Sequence, residues 1–164
     1  MPFVTVSDIA RQFYCEQKVE LSYVLGEIPT DSKQLGDLIH NEVLAMQPVT
    51  REEIISAIKS GKSTVASFML YGKVLDVTVV GIPDAVYFEG KPKMLIELKT
   101  TRGRIDKIWT DQTLQVQLYA YLLEQMGFDI SDLEIYVIKI KQESEEREAL
   151  LRKAIFFIKE HREK

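Results

Sequence analysis

The chain has 164 residues, 46% hydrophobic and 28% charged, enough for one domain with a buried core and ordinary for a globular protein. A single cysteine, Cys15, excludes an internal disulfide and a four-cysteine zinc or iron–sulfur site, and fits a reducing cytoplasm. The net charge of −4 argues against nucleic-acid binding by bulk charge alone.

The opening Met1-Pro2-Phe3-Val4-Thr5-Val6 lacks the basic and apolar regions of a signal peptide. No apolar run approaches the roughly 18 residues of a membrane span, so a cytoplasmic protein without membrane contact is expected. Ser7 and Asp8 read as a helix start and Gly26 as its stop, with Ile9, Phe13, Tyr14, Leu21, Val24 and Leu25 giving a broken apolar face. Cys15, inside that helix, is expected to be buried as a small apolar residue. Thr30-Asp31-Ser32 caps a second helix over 30–46, with Leu35, Leu38, Ile39 and Val43 at helical spacing. Thr50-Arg51-Glu52-Glu53 matches a capping box for a helix that ends near Gly61.

Strands are predicted over 64–70 and 74–80, and Gly81-Ile82-Pro83 interrupts them. A hairpin follows, with Glu89-Gly90-Lys91-Pro92 as its turn. A helix from about Asp111 carries Leu114, Leu118, Tyr121, Leu122 and Met126 and stops at Gly127. The nearly continuous apolar stretch 133–140 predicts a central strand. Residues 143–164 predict a long amphipathic helix on Leu150, Leu151, Ala154, Ile155, Phe157 and Ile158, most simply a core-facing helix. With no repeat, low-complexity tract or linker, 1–164 reads as one domain. Its element order predicts α/β architecture, one mixed sheet of four or five strands flanked by helices.

The chemistry concentrates in Met94-Leu95-Ile96-Glu97-Leu98-Lys99-Thr100, an apolar strand that carries two opposite charges. Strand residues two apart share a face, so Glu97 and Lys99 point the same way. Charges are rarely buried unless paired or bound to metal. If Phe88 stands opposite Lys93 in the hairpin, counting outward sets Asp84 opposite Glu97, with β-carbons roughly 5 Å apart. Two such carboxylates repel unless a cation sits between them, and oxygen ligands suit magnesium or manganese. The alternative is a structural ion pair at a strand end. From Lys91 to Lys107, six basic residues face two acids, leaving a local charge of +4 in a chain otherwise at −8. That segment is either a solvated basic loop or a lip that holds phosphate. Trp109 either stacks on a base or covers a helix start.

Five pieces occur in order: Phe13-Tyr14-Cys15-Glu16-Gln17-Lys18, Gly36-Asp37-Leu38-Ile39-His40, Gly81-Ile82-Pro83-Asp84, Glu97-Leu98-Lys99 and Gln115-Val116-Gln117-Leu118-Tyr119. Together they resemble the PD-(D/E)XK nuclease superfamily, in its RecB-like branch that includes the CRISPR-associated exonucleases. The resemblance spans about residues 7 to 140. It implies a restriction-endonuclease-like core. His40, Asp84, Glu97 and the Leu98 carbonyl would be ligands for magnesium or manganese. Lys99 would act beside the attacking water and the phosphate, and Gln115 and Tyr119 would line the site. Arg102, Arg104 and Lys107 would contact DNA phosphates.

The implied activity is hydrolysis of DNA phosphodiester bonds, as an exonuclease on single-stranded or frayed ends, in CRISPR adaptation or DNA repair. DNA, further copies of the chain or CRISPR adaptation proteins are the implied partners. One departure stands out. Many CRISPR-associated members hold a four-iron cluster with one early cysteine and three late ones. Cys15 matches the early position and no late cysteine follows, so no iron–sulfur cluster is expected. Two other functions stay open: a DNA-binding or scaffolding subunit with an unused site, and a dimeric structure-specific endonuclease.

Overall fold

A computed structural model of the chain describes residues 3–26, 34, 37 and 50–142. In chain order these form β1 (Phe3–Thr5), α1 (Val6–Tyr14), α2 (Glu16–Leu25), α3 (Arg51–Ser60), β2 (Ser63–Ala66), β3 (Leu70–Val74), β4 (Val77–Gly81), β5 (Ala85–Glu89), β6 (Lys91–Thr101), α4 (Thr110–Gln125) and β7 (Glu134–Lys141). The protein is mixed α/β, as the element order predicts, but its strands divide between two sheets. One has three strands in the order β1-β4-β3 and the other four in the order β2-β5-β6-β7.

The expected 30–46 helix is described only at residues 34 and 37, both helical and exposed. The expected 143–164 helix, and His40, lie outside the described residues. The first predicted helix is two helices. Thr5, not Ser7 or Asp8, is the N-cap: its hydroxyl accepts the Asp8 N–H at 3.0 Å and donates to Asp8 Oδ2 at 2.6 Å. At Cys15 the backbone turns extended (φ −167°, ψ 107°), which ends α1 and starts α2. Cys15 is exposed rather than buried, because it sits on that break and not on the face holding Val6 and Ala10. The capping box is present as read. Thr50 Oγ1 accepts the Glu53 N–H at 3.2 Å, and Glu53 Oε2 accepts the Thr50 N–H at 2.7 Å.

The predicted strand over 74–80 contains a turn. Val74 pairs with Val77, and Leu75 and Asp76 between them both take positive φ, 46° and 63°. That is the backbone of a tight β-hairpin turn, normally built from Asn, Asp or Gly. Asp76 carries that signal but Leu75 does not, and a lone Asp between apolar residues does not mark a hairpin. Leu75 is 92% exposed and gains no burial for its strain. Leu75→Asn should therefore stabilise the fold by about 1 kcal/mol in urea denaturation.

Strand β6 is the centre of the larger sheet, antiparallel to β5 and parallel to β7. Its residues Met94, Leu95, Ile96, Glu97 and Leu98 are all buried. Parallel neighbours need a crossover, and α4 supplies it. Strand β7, expected to be central, is the edge among the described strands, with Ile135 40% exposed. An apolar run marks a strand but not its place in the sheet.

Helix α4 lies over the core through Val116, Tyr119, Leu122 and Leu123, against Val79, Phe88 and Leu95. Tyr121, counted on its apolar face from the sequence, is 43% exposed. Close approach at this helix depends on Gly81. A β-carbon there would lie 2.7 Å from both Tyr119 Cε1 and Val6 Cγ2. None of the helices among the described residues is long and apolar enough to cross a membrane.

Candidate functional site

The hairpin is a little irregular. Phe88 stands opposite Pro92, not Lys93, because a bulge falls between Tyr87 and Phe88. Beyond the bulge, Tyr87 faces Met94 and Ala85 faces Ile96, and continuing that count sets Asp84 opposite Glu97. The bulge absorbs the one-residue difference near the turn and leaves the register at the far end as counted.

Asp84 stands just past the end of β5, where β6 has lost its neighbour. Its Oδ2 accepts the Leu98 N–H at 2.6 Å and takes the place of a strand partner. In a strand, the N–H and C=O of one residue point to the same edge. The Leu98 carbonyl is therefore on the edge where the Asp84 carboxylate sits.

Glu97, Lys99, Gln115 and Tyr119 form one connected network. Lys99 Nζ donates to Glu97 Oε1 at 2.8 Å and to Gln115 Oε1 at 2.7 Å. Gln115 Nε2 donates to the same Glu97 Oε1 at 2.8 Å and lies 3.2 Å from Tyr119 Oη. The Tyr119 hydroxyl donates in turn to the Ile82 carbonyl at 3.2 Å. Gln115 and Tyr119 can both join because they are four residues apart on one face of α4. Glu97 is only 4% exposed, and its buried Oε2 has no hydrogen-bond partner among the described residues. An orphaned carboxylate oxygen is costly in a protein interior. Burial, and then the Asp84 charge, raise the Glu97 carboxyl above the usual carboxylate range, while Lys99 opposes them. Burial likewise pushes the Tyr119 phenol well up, so Tyr119 stays a neutral donor at physiological pH.

The donors fit a hard divalent cation as far as they are described. Two carboxylates converge, one with an unpaired oxygen, and the Leu98 carbonyl shares their edge. Among the described residues, no group of three or more His, Cys, Asp or Glu could hold a metal ion. His40, the further ligand that the resemblance adds, is outside them.

The basic segment does not gather as one lip. Lys91 and Lys93 are at the start of β6, roughly 20 Å or more from Lys99 along the strand. There they bind Asp132 at 2.7 and 3.1 Å, and Lys91 also meets Asp129 at 2.9 Å. Arg102, Arg104 and Lys107 follow the Lys99 end and are exposed. Arg104 forms a two-pronged pair with Asp106 at 3.0 and 2.6 Å. Lys107 Nζ lies 4.2 Å over the Trp109 ring, so Trp109, 44% exposed, already carries a cation on its face.

Sequence reasoning did not single out the Ile82 carbonyl or Gly81 as parts of this arrangement. Gly81-Ile82-Pro83 reads as a strand break and as the lead-in to Asp84 in the resemblance, and neither assigns a role to the Ile82 carbonyl, although a glycine three residues before Asp84 does signal close backbone approach. Tyr119→Phe should cost about 1 kcal/mol in thermal or urea denaturation, because it leaves the Ile82 carbonyl without its donor.

No protein-family model matches the chain, and no curated protein matches it. A solved structure titled "Crystal structure of SSO0001" is similar over 96% of this chain and 77% of that one, with 19% sequence identity and a TM-score of 0.45.

Proposed function

We propose that the protein is a cytoplasmic, divalent-cation-dependent deoxyribonuclease of the RecB-like PD-(D/E)XK type, acting as an exonuclease on single-stranded or frayed ends in CRISPR adaptation or DNA repair. The observation that carries this reading is the buried Oε2 of Glu97, without a partner among the described residues, beside the Asp84 carboxylate and with an ammonium group two residues away. The motif resemblance, which includes the same Asp84, Glu97 and Lys99, supports it through its further pieces around His40 and Gln115–Tyr119.

In this reading Asp84, Glu97, the Leu98 carbonyl and His40 would hold magnesium or manganese. A bound cation of this kind acidifies water and neutralises charge on the phosphate. The rest falls to the chain's own residues. Lys99 presents a fixed positive charge to the phosphate as negative charge grows on its oxygens. Gln115 restrains Lys99 and Glu97 together, and so sets the distance between ammonium and carboxylate. Tyr119 anchors Gln115 to the backbone at Ile82. Arg102, Arg104 and Lys107 neutralise flanking phosphates and position the strand without reading its sequence. Arg104 would exchange its exposed Asp106 partner for phosphate.

The test is a time course on an end-labelled single-stranded oligonucleotide with magnesium, manganese or EDTA. Cation-dependent shortening is expected. Binding without shortening in either cation would overturn the hydrolase reading and favour a scaffolding subunit.

A further inference from the structure

The face of the larger sheet that holds Glu97 and Lys99 carries a further lysine, Lys139 of β7. In the parallel pairing of β6 with β7, Lys99 stands beside Lys139. Paired residues on neighbouring strands share a face and lie about 5 Å apart, so Lys139 borders the site. Two ammonium groups so placed repel, and each is held by other groups. Lys99 turns to Glu97 and Gln115. Lys139 is half-buried, and its Nζ donates to the backbone carbonyl of Lys107.

That carbonyl belongs to the 102–109 loop between β6 and α4, which carries Arg102, Arg104 and Lys107. Within the loop, Gly103, Arg104 and Trp109 make local bonds. The Gly103 N–H donates to Thr101 Oγ1, Arg104 pairs with Asp106, and the Trp109 N–H donates to Gln112 Oε1. Such bonds shape the loop and join it to the two elements it connects. Lys139 reaches it instead from a third element, 32 residues along the chain. Asp106 of the loop and Asp111 of the first turn of α4 lie near the same ammonium. Burial lowers the Lys139 pKa from the usual lysine range, and these carboxylates, Asp111 first, oppose the shift. Lys139 thus clasps one continuous stretch of chain to β7.

We infer that Lys139 is a positioning residue for the reaction proposed above: by holding the Lys107 carbonyl it fixes the 102–109 loop beside Lys99, so that Arg102, Arg104 and Lys107 meet the flanking phosphates together. The inference rests on the nuclease reading and adds to it the residue that sets the substrate-binding loop. Acting through the loop, Lys139 governs how tightly the strand is held and not the bond-breaking step.

Trypsin cuts after arginine and lysine, so its rate at Arg102, Arg104 and Lys107 reports whether the loop is held, with no DNA present. Lys139→Met should speed that cutting by about tenfold, and Lys139→Arg, which keeps a donor for the carbonyl, should return it to the wild-type rate. Binding of a labelled single-stranded oligonucleotide in EDTA supplies a second readout. One lost phosphate contact lowers the salt slope by about 0.7, and three lower it by about 2. Lys139→Met should lower it by about 2, and Lys139→Arg should leave it unchanged. With magnesium, Lys139→Met should raise KM by about tenfold and keep kcat within about twofold of the wild type. An unchanged trypsin rate in the loop would overturn the inference. A slope lowered by only about 0.7 would also overturn it, by making Lys139 a single phosphate contact. Faster cutting throughout the chain, without rescue by Lys139→Arg, would do the same, since that is the result of a merely structural role. If the loop is released and the slope falls as expected, but the wild type never shortens the oligonucleotide, the hydrolase reading fails and Lys139 stands as the residue that sets a DNA-binding loop.

Discussion

Replacing Glu97 with glutamine is expected to lower cation-dependent cleavage by ~10³-fold, about 4 kcal/mol of transition-state stabilisation, without unfolding the protein. Glutamine keeps the shape and an oxygen for Lys99 and Gln115, but loses the charge whose Oε2 has no partner among the described residues. The same variant separates ligand loss from structural damage by its effect on stability. The Glu97 carboxyl is raised, mainly by burial and then by Asp84, so without cation the folded state holds its proton to higher pH than the unfolded chain. For a raised acid, the unfolded state binds fewer protons, and stability falls as pH rises from the ordinary glutamate value near about 4.3 to the raised one. Glu97→Gln removes that loss. In EDTA its advantage over the wild type should grow with pH across this window and then level off. With manganese the order reverses. The wild type should gain about 3 kcal/mol at a hundredfold excess over the dissociation constant, roughly 5–10 °C in melting temperature, and the variant almost none.

Lys99→Met should cut cleavage by about 10²–10³-fold while keeping the manganese-induced rise in melting temperature. Methionine retains much of the aliphatic stem and deletes the ammonium that bridges Glu97 and Gln115. The two substitutions thus differ in a second readout: loss of Glu97 removes both cleavage and cation stabilisation, whereas loss of Lys99 removes cleavage alone. If Lys99→Met cleaved at the wild-type rate, the ammonium would be no more than the counter-charge of a buried acid.

How far the sequence speaks depends on the kind of signal. Alternation in β6 is strictly local, so Glu97 and Lys99 could be assigned to one face from their spacing, and the structure joins them at 2.8 Å. The capping box at Thr50 is equally local and reads directly. Asp84 needed a register count. That count survives at its end because the bulge near Phe88 compensates for the turn. Gln115 and Tyr119 carry no local signal of their role. Their hydrogen bonds arise only when α4 crosses back over β6, and what singled them out was the motif resemblance. The misses share a physical cause. The turn at Leu75-Asp76 is set by the pairing of β3 with β4 and puts a leucine at positive φ, the helix break at Cys15 has no glycine or proline to mark it, and the edge position of β7 is a property of the whole sheet. The division into two sheets is likewise invisible in an element order that fits one.

The most direct test is the anomalous difference density of a crystal soaked in manganese. A peak between the Asp84 and Glu97 carboxylates, within bonding distance of Glu97 Oε2, is the predicted result. Carboxylates unchanged at saturating manganese, with no peak between them, would contradict the account.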